Sequence, residues 1–360
     1  MLQRVAVVGA GAAGLCVARH ILSRPSSFTP PVVFELTDNV GGTWCYDERV
    51  GTYDNGQPIH SSMYRNLRTN LPKEVMMFPD FPFDPQLSSF LPHQEVQRYL
   101  ERYCQYHNIQ PHIRFKTVVE NVTPPVMTKV GEEKKTAWEV TSLDSSGCLK
   151  TESFDAVFVC SGHYSDPHIP HLPGIENFKG QVLHSHSYRY AEPFCGQSVV
   201  VLGAKASGLD ISIELAKAGA QVTLSHRYPR LTFPLPPGIH QSSSVVAVEN
   251  DGSIRFQVLF ALAVLDGSVS LPPQEQMEEE VWQELQEKEE RGVAQHHLLK
   301  MDKDQWEYCK TLACSAGFPP LPPVVRSLYE EVWRQRQIHP QNYRRLNYRL
   351  VSDTRWELVD

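Results

Sequence analysis

Three glycines open the chain at a spacing that suits chemistry by leaving room for it. In RVAVVGAGAAGLCVARHIL, Gly9, Gly11 and Gly14 form G-x-G-x-x-G between a β-branched run and a helical pattern. The first allows a tight turn, the second lets the backbone approach a pyrophosphate, and the third lets the helix pack close to the strand. The anion would rest on the helix N-terminus, where free N–H groups and the dipole favour negative charge. A second strand, PVVFEL, ends in Glu35, 21 residues after Gly14. Its carboxylate can accept both ribose hydroxyls of an adenosine and repels a 2′-phosphate, which predicts FAD or NAD here, not NADP. NVGGTWCY then places Gly41, Gly42 and Trp44 soon after the acid, a second close backbone approach that suits a long cofactor such as FAD.

SVVVLGAKASG, residues 198 to 208, repeats the arrangement. Gly203 and Gly208 keep the outer positions, Lys205 takes the middle one, and Ser207 precedes the last glycine. A side chain at 205 restricts close approach, while its charge can pair with phosphate. The helix LDISIELAKAG and the strand QVTLSHR follow. That strand ends Ser225-His226-Arg227, with no acid where Glu35 stands in the first unit. Arg227 there suits a 2′-phosphate, so the second nucleotide is expected to be NADP. Two such units predict an α/β fold with two Rossmann-like domains, in which a nicotinamide delivers hydride to a flavin.

The rest of the chain sets bounds. Its 360 residues allow two domains, or one large domain carrying an insertion. A net charge of −7 and a pI near 6.1 give no basic footprint for nucleic acid. The N-terminus enters a strand pattern at once, without the charged and apolar regions of a secretory signal. VLFALAVL, residues 258–265, is the longest apolar run and is too short to span a bilayer. Eight cysteines without a CxxC read as reduced thiols, so a cytoplasmic protein is expected, with the periphery of the endoplasmic reticulum as the alternative. A disulfide reductase would need a close cysteine pair at its flavin, and Cys309 and Cys314 lie late in the chain. His163, His168, His171, His184 and His186 lack partners at ligand spacing, so no metal is expected.

FKGQVLHSHSY, ahead of the second glycine loop, carries a family resemblance. Phe178, Gly180, His184 and Tyr188 match the Phe-x-Gly-x-x-x-His-x-x-x-Tyr pattern of flavin-containing monooxygenases. In that family the segment belongs to the linker between the nucleotide domains and supports NADP binding. GGTW, YRNLRTNLPKEVMMFPDFPF and VFVCSGHYSDPHIP also resemble family segments, and the RTNLP and ASG wording is similar to the plant S-oxygenase and invertebrate N-oxygenase branch. A Baeyer–Villiger oxygenase would end the linker pattern in Trp-Pro or Trp-Asp, where His186-Ser187-Tyr188 stands.

The resemblance runs from residue 1 to 256 and implies a three-layer FAD domain with an inserted NADP domain. The parts are residues 1–165 for FAD, 166–245 for NADP, and 246–360 for a shortened remainder with C-terminal helices. It implies that NADPH reduces FAD and that O₂ adds to form a C4a-hydroperoxyflavin, which a tertiary amine or thioether attacks. Asn70 is the catalytic candidate, brought to the flavin–nicotinamide face. The implied partners are a small amine or sulfide and O₂, with no nucleic acid and no transmembrane segment; a homodimer is compatible. The C-terminus, RRLNYRLVSDTRWELVD, lacks the apolar tail of the mammalian members.

One departure stands out. After DGSIRF the family pattern requires a strand ending in an Ala/Cys-Thr-Gly-Tyr turn, and none exists here. The chain runs directly into QVLFALAVLDGSVSLPPQEQ, which resembles a segment near the family's C-terminus. The join near 256–258 reads as an internal deletion of several dozen residues. Loss of that strand predicts an open sheet edge and raises the alternative of an impaired enzyme or a non-catalytic nucleotide-binding relic. Met277, Val281 and Leu285 fall on one side of an acidic helical pattern, read as a solvated peripheral helix.

Overall fold

Val5, Ala6 and Val7 in strand β1 (Val5–Val8) are wholly buried, because both faces of the strand are covered. Strand alternation sends Val5 and Val7 to one core and Ala6 to the other. The computed structural model of the protein describes residues 2–53, 56–124, 137–226, 235–256, 306–307, 309–310 and 320–359. The chain divides into two compact units, residues 1–170 with 182–190, and residues 171–181 with 191–360.

In the first unit, β1 lies in a parallel sheet with β2 (Val32–Phe34), β3 (Ile113–Arg114) and β7 (Ala156–Val159), in the order β3-β2-β1-β7. Helix α1 (Ala12–Leu22) buries Leu15, Ala18 and Ile21 against one face, a stripe at helical spacing. The short helix α2 (Lys73–Met76) precedes α3 (His93–Tyr106), which adds Val96, Tyr99, Leu100 and Tyr103 to the same core. On the other face, β4 (Val118–Thr123), β5 (Trp138–Leu143) and β6 (Leu149–Phe154) form an antiparallel sheet. Its Val140 and Phe154 pack on Ala6 and Phe34. Helices, parallel sheet and antiparallel sheet are the three layers expected. Arg4, Arg114 and Lys150 converge on Glu152, and the hydrogen bond from Arg114 leads in drawing its carboxyl down to about 2 against the cost of burial.

The second unit has its own parallel sheet, β8 (Ser198–Leu202), β9 (Gln221–Ser225) and β10 (Ile239–Ser242), in the order β10-β9-β8. Helix α4 (Ala206–Lys217) connects β8 to β9 and buries Ile211 and Leu215. A hairpin of β11 (Val245–Val248) and β12 (Ile254–Phe256) follows. Beyond lie helix α5 (Pro323–Ile338) and the hairpin β13 (Asn347–Ser352) and β14 (Arg355–Val359). Arg344 reaches back to α4 through a two-pronged pair with Asp210, at 2.6 and 3.3 Å.

Among the described residues, β7 and β8 each pair on one side only. Val159 is 69% exposed and Leu202 51% exposed, so both open edges carry bare apolar side chains. The join at 256–258, the run 258–265, the helical pattern around Met277 and Cys314 lie outside the described residues. Among those described, no helix is long and apolar enough to cross a membrane.

Candidate functional site

The first glycine turn is built from positive φ angles and absent side chains. Gly9 has φ +105°, and a Cβ there would stand 2.6 Å from the Cys160 carbonyl oxygen at the end of β7. A Cβ on Gly14 would stand 1.9 Å from the Gly9 carbonyl oxygen, so α1 approaches β1 this closely only with glycine at that position. Gly11 differs. As N-cap it takes φ −77° and ψ −173°, open to any residue, and a Cβ would meet only the Gly42 backbone, at 3.5 Å. Gly42, at φ +58°, returns the contact, since its own Cβ would lie 3.0 Å from the Gly11 Cα. The Gly41 N–H donates to the Ala10 carbonyl at 3.1 Å, and Trp44 packs on the core behind. Two glycine turns therefore stand back to back with no side chain between them.

Helix α1 has no side-chain cap and no acid in its first turn, so nothing competes for an anion there. Glu35, 5% exposed, closes the cradle. One carboxylate oxygen accepts from the Ala10 N–H at 2.8 Å, and the other from the Thr37 N–H at 2.9 Å and hydroxyl at 2.8 Å. A carboxylate offers about four acceptor positions, so capacity remains for a ribose hydroxyl. These features fit an adenine dinucleotide with an unphosphorylated ribose.

The second turn reproduces the first nearly bond for bond. A Cβ on Gly208 would stand 1.8 Å from the Gly203 carbonyl oxygen, and Gly203 has φ +96°. Lys205 is the N-cap of α4 at φ −77° and ψ −170°, the backbone of Gly11, so lysine costs no strain there. Lys205 and Ser207 are exposed, and α4 likewise has no side-chain cap and no acid in its first turn. A Cβ on Gly203, however, would meet nothing within 4 Å among the described residues. Where Gly9 abuts β7, Gly203 faces open space, because no described strand flanks β8 on that side.

The shared register identifies a residue that sequence reasoning passed over. The Gly9 N–H donates to the Phe34 carbonyl and the Gly203 N–H to the Ser225 carbonyl, both at 2.8 Å. The next residue along donates to the neighbouring strand in each unit, Glu35 to Arg114 at 3.0 Å and His226 to Ser242 at 3.2 Å. His226, not Arg227, is thus the counterpart of Glu35, and its ring meets the Gln241 side chain at 3.2 Å. Counting from the strand end would have found it; Arg227 lies outside the described residues.

Asn70 is exposed, on a segment pinned at both ends. Thr69 exchanges two hydrogen bonds with Leu91, N–H to carbonyl at 2.8 Å and Leu91 N–H to the Thr69 hydroxyl at 3.0 Å. The Lys73 N–H donates to the Ser89 carbonyl at 2.6 Å. The linker motif divides between the units. Phe178 folds its ring over Gly180, where a Cβ would be 2.7 Å from a ring carbon. His184 accepts from the His186 N–H at 3.1 Å, and Tyr188 packs edge-on against Tyr64 at 5.6 Å. Arg189, buried, donates to the carbonyls of Asp47, Arg49, Ser61, His186 and Tyr188. Burial pushes the Cys45 thiol up to about 12, so it stays protonated and unreactive. No metal-binding cluster occurs among the described residues.

Comparison with known proteins identifies a family. The family model described as flavin-binding monooxygenase-like matches residues 2–231. The flavin-containing monooxygenase FMO GS-OX5 of Arabidopsis thaliana is 40% identical over 270 residues, covering 70% of this chain and 56% of the relative. The chain thus spans little more than half of that relative's length. Senecionine N-oxygenase of Tyria jacobaeae is 28% identical over 429 residues, covering 99% of this chain and 91% of the relative. With only 360 residues here, at least 69 of those 429 aligned positions have no counterpart, which is the internal shortening expected. Among solved structures, S-allyl-L-cysteine S-oxygenase from Allium sativum is similar with a TM-score of 0.75 and 29% identity, covering 96% of this chain and 95% of that one.

Proposed function

The chain belongs to the flavin-binding monooxygenase family, and from that premise we propose that it is an NADPH-dependent oxygenase of soft nucleophiles, adding oxygen to the nitrogen of an amine or the sulfur of a sulfide. The supporting observation is the pair of matched glycine turns, one closed by the buried carboxylate of Glu35 and the other with His226 at the same register position. Residues 1–165 hold FAD through Gly9, Gly11, Gly14, Glu35, Gly42 and Trp44. Residues 166–245 hold NADP(H) through Gly203, Lys205, Ser207, Gly208 and Arg227, with His226 added. FAD held by the first set would supply the redox chemistry: reduced by NADPH, it would activate O₂, one atom of which passes to the substrate while the other leaves as water.

The chain's own residues bind, orient and exclude water. Glu35 fixes the adenosine end, the Gly11–Gly42 contact leaves room for the pyrophosphate, and Asn70 donates a hydrogen bond at the reacting end. No strong protein base is required, because an amine or thioether lone pair is itself the attacking group. The assay is NADPH oxidation by the full chain in the presence of a small thioether, with sulfoxide and hydrogen peroxide both measured. Sulfoxide in near-equal amount to NADPH is expected; NADPH consumption giving peroxide alone would refute an oxygenase.

The open edges favour a second reading. β7 and β8 are unpaired on one side among the described residues, and at least 69 aligned positions are absent. In that reading the chain binds nucleotide without turning over, and the same assay gives neither product.

A further inference from the structure

His93 is 1% exposed, and nothing in the proposed reaction uses it. Its place is at the first residue of α3, where it touches two stretches of the first unit that are distant in sequence. Toward one side its ring Nε2 meets the Arg65 carbonyl at 3.3 Å, and its backbone N–H donates to the Leu67 carbonyl at 3.1 Å. These bonds begin the ladder that continues through Thr69 and Leu91 and ends at Lys73 and Ser89, with Asn70 between the last two rungs. Toward the other side the ring lies 5.4 Å from the ring of Tyr46, two residues past Trp44 at the end of the Gly42–Trp44 turn. Burial lowers the pKa of His93, while the carbonyls of Arg65 and Trp44 pull it the other way.

The ring is not there for packing alone. With Nε2 donating to Arg65, Nδ1 of a neutral imidazole is an acceptor, and it is buried with no hydrogen-bond partner among the described residues; the Tyr46 hydroxyl is likewise buried without one among them. An unsatisfied buried polar atom costs free energy that a leucine of similar volume would not incur. Such a cost is characteristic of a group retained for what it holds in place.

We propose that His93 is a positioning residue that couples the Gly42–Trp44 turn to the segment carrying Asn70, so that the two walls of the flavin site hold one spacing. This rests on the assignment of those two segments to FAD. Fixing reacting groups to within a fraction of an ångström is worth large factors in rate, and a buried side chain bonded to one wall and in tilted ring contact with the other is suited to that task.

The test uses the full chain with His93→Leu and His93→Gln. Amide exchange is followed without added cofactor, and FAD is titrated by flavin fluorescence and by the position of the visible band. In His93→Leu the amides of Trp44, Cys45 and Thr69 should exchange faster together, with FAD weakened about tenfold and its band shifted. His93→Gln keeps a donor for Arg65 and should restore Thr69 protection and most of the FAD affinity. Unchanged exchange in both segments, or a chain-wide increase with FAD affinity and band unchanged, would overturn the proposal. If the unmodified chain binds no FAD, the flavin reading itself fails, and the coupled exchange still decides whether His93 joins the two segments.

Discussion

Glu35 and His226 occupy the same position in two copies of one device, and they differ in charge. A buried carboxylate beside a ribose repels a 2′-phosphate, whereas an imidazole can donate to it. Replacement of His226 by glutamate should therefore weaken NADP⁺ about tenfold or more and leave NAD⁺ no weaker, as read from separate titrations. Unchanged affinity for both would mean that residue 226 does not meet the ribose. The sequence displays the absent acid plainly, yet QVTLSHR reads through to Arg227, because the strand's end at Ser225 is visible only in the register. Glu35 was legible from spacing alone, since strand, turn and helix are local and their lengths are fixed by geometry.

At the scale of the element, strand–turn–helix units explain why three glycines in one motif are not equivalent. Gly14→Ala drives a Cβ into the Gly9 carbonyl oxygen 1.9 Å away, and should cost about 1–3 kcal/mol of stability or more as α1 is pushed off β1. Gly11→Ala meets only ordinary contact and should leave stability within about 0.5 kcal/mol, while weakening FAD about tenfold by filling the cradle. A thermal melt beside an FAD titration separates the two; equal melting and equal binding in both variants would contradict the division of roles. The linker motif was recognisable by pattern, but the work of Arg189 was not. Its carbonyl partners at Asp47, Arg49 and Ser61 lie between 128 and 142 residues away, and no local signal announces such a contact. The same holds for His93, whose ring partner Arg65 is 28 residues back.

For the whole molecule, the two units match strand for strand until the fourth. β8, β9 and β10 stand for β1, β2 and β3, and among the described residues nothing stands for β7. The strand whose turn motif is missing after residue 256 was expected beside the flavin, in the first unit, and the chain after that join lies outside the described residues; in the second unit, a Cβ on Gly203 meets no described residue within 4 Å, where Gly9 is covered by Cys160. The first unit, by contrast, has its three layers and its complete cradle, so the flavin half of the reading stands or falls on whether that cradle suffices without the absent positions.

An anaerobic visible spectrum of the purified full chain with FAD, recorded before and after NADPH, decides this. A bound flavin band that bleaches on adding NADPH is the predicted result, for it requires both nucleotide units to function in this chain. A folded chain that takes up no FAD, or binds FAD that NADPH leaves oxidised, would contradict the oxygenase assignment.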